Sequence, residues 1–213
     1  MVKEDIEFLK KCIERGVIFS PVLELGVGYE GVNCKEIIEK AGFVYFGTDM
    51  HVGKYVDFII NFEESIVDIQ KTLNYQKFGT ILVFNVLEHV FNPIKVLDNV
   101  FEILKEGGTC VIITPVVWPL HGYPRDYWRI NPDFYEEYAR RRKLEIVYEL
   151  FEYVGKHNVK ENKISGKEYK LPAPAQNKFK MLWSRIIHRV FNTCGRQMFF
   201  PSHVSVGVVI RKP

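Results

Sequence analysis

The chain has 213 residues and a mass of 25.0 kDa, enough to bury roughly 70% of its unfolded surface without disulfide or metal staples. Hydrophobic residues make up 47% and charged residues 26%, which excludes a disordered or collagen-like chain. No run approaches the ~18 uninterrupted apolar residues of a membrane-spanning helix. The net charge of +3 conceals two unlike parts. Residues 1–150 carry 17 Lys and Arg against 23 Asp and Glu, and residues 151–213 carry 12 against 3. The basic end is suited to contact with something anionic, or simply to solvation. Met1 to Arg15 is charged throughout without an apolar core, so no cleaved leader is expected. Cys12, Cys34, Cys110 and Cys194 lie far apart with no Cys-x-x-Cys pair. That pattern predicts reduced thiols in a cytoplasmic protein and argues against structural zinc.

In chain order, Val2, Ile6, Leu9 and Ile13 recur at helical spacing and predict an amphipathic helix over 2–14. Pro21 precedes the apolar run Val22 to Leu25, which ends in Gly26-Val27-Gly28, a strand leading into a glycine turn. A helix is expected over 33–41, strands over 44–48 and 57–60, and a helix over 66–73. A strand over 80–84, a helix over 94–104 and a strand over 109–114 follow, then two last strands at 144–150 and 204–210. Apolar runs separated by helices predict an α/β fold, a doubly wound and mostly parallel sheet covered on both faces. Its ligand would sit beyond the carboxyl ends of the strands. We read residues 1–213 as a single domain in which 155–200 forms a basic insertion before the last strand. Within that insertion Pro172-Ala173-Pro174 precedes a helix-like run. Phe179, Leu182, Trp183, Ile186, Ile187, Val190 and Phe191 share one face, with Lys178, Lys180, Arg185 and Arg189 elsewhere.

The chemistry concentrates at Glu24-Leu25-Gly26-Val27-Gly28-Tyr29-Glu30-Gly31. Glycines there let the backbone turn sharply and approach a ligand closely. Asp49 closes the second strand, where a carboxylate can accept from both hydroxyls of a ribose. A glycine loop with a distant acid equally describes a dinucleotide-binding domain. Two details separate the readings. A carboxylate at Glu24 would repel a pyrophosphate but suit a ligand carrying an ammonium or sulfonium charge. The chain also offers nothing like the separate substrate domain of most dehydrogenases.

With Asn85-Val86-Leu87-Glu88-His89-Val90 added to these residues, the chain resembles the class I S-adenosylmethionine-dependent methyltransferases, in their broad small-molecule group. The resemblance covers about residues 20–150 and the last strand, and it extends to His121-Gly122-Tyr123-Pro124-Arg125-Asp126-Tyr127-Trp128-Arg129. It implies a Rossmann-like sheet of seven strands whose last strand is antiparallel, with S-adenosylmethionine as cofactor. Gly26 and Gly28 would lie under the methionine moiety, and Glu24 would organise its amino group. Asp49 would take the ribose hydroxyls, and Asn61 with Phe62 would meet the adenine. Asn85 would border the methyl group. In some relatives a Glu-Val-Leu-Glu-His run serves a metal or a proton transfer. Here Asn85 replaces the first acid, leaving fewer hard ligands, and no metal is expected.

His89 has the intrinsic pKa of a general base. Its alternative role is to cap the following helix or line the pocket wall. His121 is the second candidate base. Tyr123, Asp126, Tyr127, Trp128 and Arg129 form a polar-aromatic loop after the fifth strand, where doubly wound folds receive substrate. Arg129 could clamp an anion in bidentate fashion; the alternative is a rigid loop whose aromatics close the core. The basic insertion could be a lid, or a face for an anionic membrane surface through 178–191. No nucleic-acid motif accompanies it. The sequence therefore reads as a methyltransferase acting on a small-molecule or glycan-like acceptor by O-methylation. A non-catalytic methyltransferase-like binding module and a nicotinamide-dependent dehydrogenase are the alternatives.

Overall fold

The computed structural model describes residues 3–28, 34–118, 121, 125–155 and 204–213. The expected basic insertion therefore lies outside the described residues apart from its first position, as does Tyr123. Among the described residues no helix is long and apolar enough to cross a membrane.

Strand β1 (Val22–Leu25) is buried along its whole length. Parallel strands pair with both of its edges and a packed cluster covers each of its faces, so neither face meets water. It pairs in parallel with β2 (Tyr45–Asp49) and with β4 (Phe78–Phe84), while β2 pairs with β3 (Phe58–Ile59). Strand β5 (Leu104–Val117) extends the sheet beyond β4, again in parallel. The last strand, β8 (Val204–Arg211), runs antiparallel against β5. The order is β3-β2-β1-β4-β5-β8-β6, with β7 (Glu152–Gly155) also paired to β8. Between β1 and β4 the connections leave in opposite directions. This is the crossing point where doubly wound sheets open a crevice.

Side chains alternate across the sheet with period two. Leu23, Leu25, Ile81, Val83, Cys110 and Ile112 point to one face. Packed on them are α3 (Ile66–Thr72), α4 (Pro93–Ile103) and α5 (Pro132–Arg142), through Ile69, Val96, Leu97, Val100, Tyr135 and Tyr138. Val22, Leu82, Phe84, Val111, Ile113 and Val209 point the other way, toward α1 (Lys3–Glu14) and α2 (Lys35–Lys40). The start of α4 is written in the sequence: the Asn92 side chain accepts from the Lys95 amide, and Pro93 occupies the first turn.

Three features differ from the sequence expectations. Helix α5 was not anticipated, because its exposed positions carry Glu and Arg in a run of low hydropathy; its buried Tyr135, Tyr138 and Ala139 nonetheless recur at helical spacing. Strand β5 begins five residues early, continuing across Glu106 to Gly108 through a register shift against β4. The strand expected over 144–150 is shorter: β6 is Glu145–Ile146, and a 3-10 turn at Tyr148–Leu150 interrupts the edge before β7. Both pieces pair with the same strand, β8. The expected seven-stranded sheet becomes eight-stranded by the splitting of one edge.

Candidate functional site

A cavity of about 540 Å³ opens beyond the carboxyl ends of β1 to β4. Gly26 and Gly28 form one wall, Asp49 and the residues after it a second, Asn61 and Phe62 a third, and Asn85 with His89 a fourth. The sequence spread these residues over 64 positions; the sheet brings them to one rim.

Gly26 follows β1 at φ +76, a left-handed conformation that glycine adopts without strain. Gly28 approaches the second strand so closely that a Cβ there would lie 2.4 Å from Asp49 Oδ2. Its amide donates to that same oxygen at 2.9 Å, and the His51 amide donates to Oδ1 at 3.0 Å. Two backbone donors thus fix the Asp49 carboxylate, and its remaining lone pairs are open to hydroxyl donors. Asn61 accepts from the Glu63 amide through Oδ1. Buried Asn99 of α4 holds this corner from behind, donating to the Phe62 carbonyl at 2.8 Å and the Glu64 carbonyl at 2.9 Å. The sequence reading overlooked Asn99, although an amide among Val96, Val100 and Ile103 on an apolar stripe was the signal.

Glu24 does not line the cavity. As a β1 residue of the same parity as Val22, it points toward α2, where Oε2 accepts from Tyr45 Oη at 2.6 Å and from the Cys34 amide at 3.0 Å. In the described structure it holds the second strand and the start of α2 together. Burial pushes its carboxyl above the ordinary value, against the Tyr45 and Cys34 bonds that pull it down. A raised folded pKa makes this contribution to stability complete below the unfolded value of about 4.3 and lost as pH rises through the folded value. The Tyr45 hydroxyl and the Cys34 amide meet one oxygen, so the amide of Glu24→Gln keeps those two bonds without a charge to bury. We expect urea unfolding across a pH series to show a smaller loss of stability with rising pH in Glu24→Gln than in the wild type. Equal slopes would contradict the assignment.

Asn85 follows β4 at φ +54, and its Nδ2 donates to Asp5 Oδ2 of α1 at 3.0 Å. Asn tolerates this left-handed geometry better than most residues. Three residues on, Glu88 is 1% exposed, and neither carboxylate oxygen has a hydrogen-bond partner on any other described residue. Burial raises its pKa to about 8. His89 Nδ1 lies 2.5 Å from the Arg125 carbonyl, so this nitrogen carries the proton and Nε2 is left as an acceptor. Burial is also the main cause that lowers the His89 pKa. The His89 ring meets His121 edge to face at 5.0 Å.

The loop at 125–129 is pinned behind this wall. The Tyr127 amide donates to the Glu88 carbonyl, and Trp128 Nε1 donates to the Val90 carbonyl at 3.0 Å. Tyr127 also packs edge to face on Phe91. Arg129 grips Asp126 with both guanidinium nitrogens, Nη2 to Oδ2 at 2.6 Å. That pairing, the main cause, holds the Asp126 carboxyl down at about 2. The arginine fork anticipated for a substrate anion is thus taken up within the loop. Asp126, Tyr127, Trp128 and Arg129 do not line the cavity, and the loop reaches its wall through the Arg125–His89 and Trp128–Val90 bonds.

This strand order with its crossing-point cavity is the Rossmann-like methyltransferase fold. The chain matches a solved S-adenosylmethionine-dependent methyltransferase from Archaeoglobus fulgidus at a TM-score of 0.54 and 15% identity, over 99% of this chain and 95% of that one. A second, from Clostridium acetobutylicum, matches at 0.55 and 11% identity, over 98% and 91%. Residues 5–177 match the family described as "Methyltransferase domain", and the chain belongs to that family. Among curated proteins, the ubiquinone biosynthesis O-methyltransferase of Psychrobacter arcticus is 28% identical over 118 residues, 49% of this chain and 44% of the relative. The match spans less than half the length of that relative.

Proposed function

We propose that this protein transfers a methyl group from S-adenosylmethionine to a hydroxyl of a small-molecule acceptor. The observation that carries the reading is the single cavity in which the Gly26–Gly28 wall, the doubly anchored Asp49 and the Asn85–His89 wall meet. The residues fit the cofactor: the close approach at Gly28 keeps the Asp49 carboxylate at the cavity wall, and Asn61 retains acceptor capacity for an exocyclic amine. Gly26 and Gly28 would hold the methionine portion, Asp49 the ribose hydroxyls, and Asn61 with Phe62 the adenine. Bound there, S-adenosylmethionine supplies a methyl group already activated by its sulfonium.

The protein's own task is to position the acceptor oxygen, exclude water and remove a proton. Arg125 fixes the tautomer of His89, leaving Nε2 to accept that proton, with His121 beside it. A sugar hydroxyl would present the same chemistry, so a glycan falls within the acceptor class. The curated O-methyltransferase relative supports oxygen as the methylated atom.

The test is transfer of isotopically labelled methyl from the cofactor to a panel of phenols, catechols and sugars. We expect label in at least one hydroxyl compound, abolished by Asp49→Ala. Cofactor binding without transfer to any acceptor, amines included, would instead identify a binding module.

A further inference from the structure

We propose that Glu88, His89 and His121 form a binding site for a divalent transition-metal cation on the acceptor side of the cavity. Each residue offers one ligand atom, and these atoms all lie within 4.8 Å of one another. His89 Nε2 is 3.7 Å from Glu88 Oε1. The inference rests on the methyl-transfer reading only for its consequence: with a cation bound, His89 Nε2 is a ligand, and a cation that lowers the pKa of the acceptor hydroxyl takes the place of proton removal by that nitrogen.

Three observations support the site. First, Glu88 is a buried carboxylate whose two oxygens have no hydrogen-bond partner on any other described residue. Such a group is costly to bury unless a partner satisfies it, and a cation between the carboxylate and the imidazoles would do so. Second, both imidazoles have their other ring nitrogen next to an acceptor. His89 Nδ1 meets the Arg125 carbonyl at 2.5 Å, and His121 Nδ1 lies 3.3 Å from Asp126 Oδ2. Arg129 fixes Asp126 in turn. This is the outer arrangement that orients metal-bound histidines and sets their tautomer. Third, two nitrogens and one oxygen match the softness of Zn²⁺ or Co²⁺, whereas Mg²⁺ takes oxygen ligands. Metal–ligand bonds of about 2.0–2.2 Å bring such atoms to roughly 3.3 Å apart, so the widest pair must close by up to about 1.5 Å, which the partly exposed His121 ring can supply. Three protein ligands leave a position for an acceptor oxygen.

The sequence expectation of no metal rested on Asn85 standing where some relatives have an acid. The fold supplies a different third ligand, His121, from the loop after β5.

The experiment is a titration of the metal-free protein with Co²⁺, followed by its visible d–d absorption, beside a calorimetric titration with S-adenosylhomocysteine. We expect one equivalent of Co²⁺ to bind with the spectrum of a low-coordinate nitrogen–oxygen site, and Zn²⁺ to displace it. His121→Ala, and separately Glu88→Gln, should weaken Co²⁺ binding at least tenfold while circular dichroism shows the fold retained. Absence of stoichiometric Co²⁺ binding, or binding unchanged in both variants, overturns the metal site. If S-adenosylhomocysteine still binds in that case, the methyl-transfer reading stands. If Co²⁺ binds as expected and S-adenosylhomocysteine does not, that reading falls and the metal site remains.

Discussion

Gly28→Ala is expected to weaken S-adenosylhomocysteine binding roughly 100-fold, a loss of about 3 kcal/mol. The added methyl would lie 2.4 Å from Asp49 Oδ2 and 2.5 Å from its carboxyl carbon. Backbone and carboxylate cannot both stay, so the Gly28–Asp49 hydrogen bond breaks and the carboxylate leaves its place at the cavity wall. Two charge-assisted hydrogen bonds to the ribose account for the magnitude. The mechanism makes a second demand. If Gly28→Ala acts through Asp49, the two substitutions are strongly non-additive. In an Asp49→Ala background, Gly28→Ala should cost less than about tenfold. Calorimetry on the wild type, both single variants and the double variant measures this directly. Full additivity would place the damage in the glycine turn itself.

Asn99→Leu is expected to destabilise the protein by about 3 kcal/mol, because it strips the donors from two carbonyls inside the structure. For a chain of this size that lowers the midpoint of thermal unfolding by roughly 6–12 °C. Leucine fits the apolar stripe of α4, so the cost isolates the lost hydrogen bonds and not a cavity. Asn99→Asp should be worse than Asn99→Leu, since it sets carboxylate oxygens against the carbonyls of Phe62 and Glu64 in a buried place. An aspartate variant more stable than the leucine variant would contradict this account. Because Asn99 anchors the corner holding Asn61 and Phe62, the leucine variant should also bind the cofactor product more weakly.

Much of the fold was legible because burial writes itself into strands. Val22 to Leu25 is apolar save Glu24, and it forms the expected strand over those same residues. The turn at Gly26, the acid closing β2 and the polar run after β4 lay where a doubly wound sheet needs them, so their convergence on one rim followed from topology. Helix α5 was hidden because its solvent face is strongly charged, leaving only Tyr135, Tyr138 and Ala139 to mark its inner side. The edge at 144–155 was misjudged because a 3-10 turn interrupts it without a glycine or proline.

The site was less legible than the fold. Glu24 had the right residue type and place along the strand, but the parity of β1 turns it toward Tyr45 and Cys34. Arg129 had the right chemistry for an anion, and Asp126 three residues earlier occupies it. Asp5 and Asn99 are helix residues whose hydrogen bonds cross 80 and 37 positions, a distance no local pattern encodes. The His89–His121 contact likewise needs β5 to carry the chain back past the crossing point.

Calorimetric titration of the wild-type protein with S-adenosylhomocysteine decides whether the cavity at the crossing point takes this nucleoside. Saturable binding of one equivalent with micromolar affinity is expected. No heat at high micromolar ligand, alongside saturable binding of NADH, would contradict it.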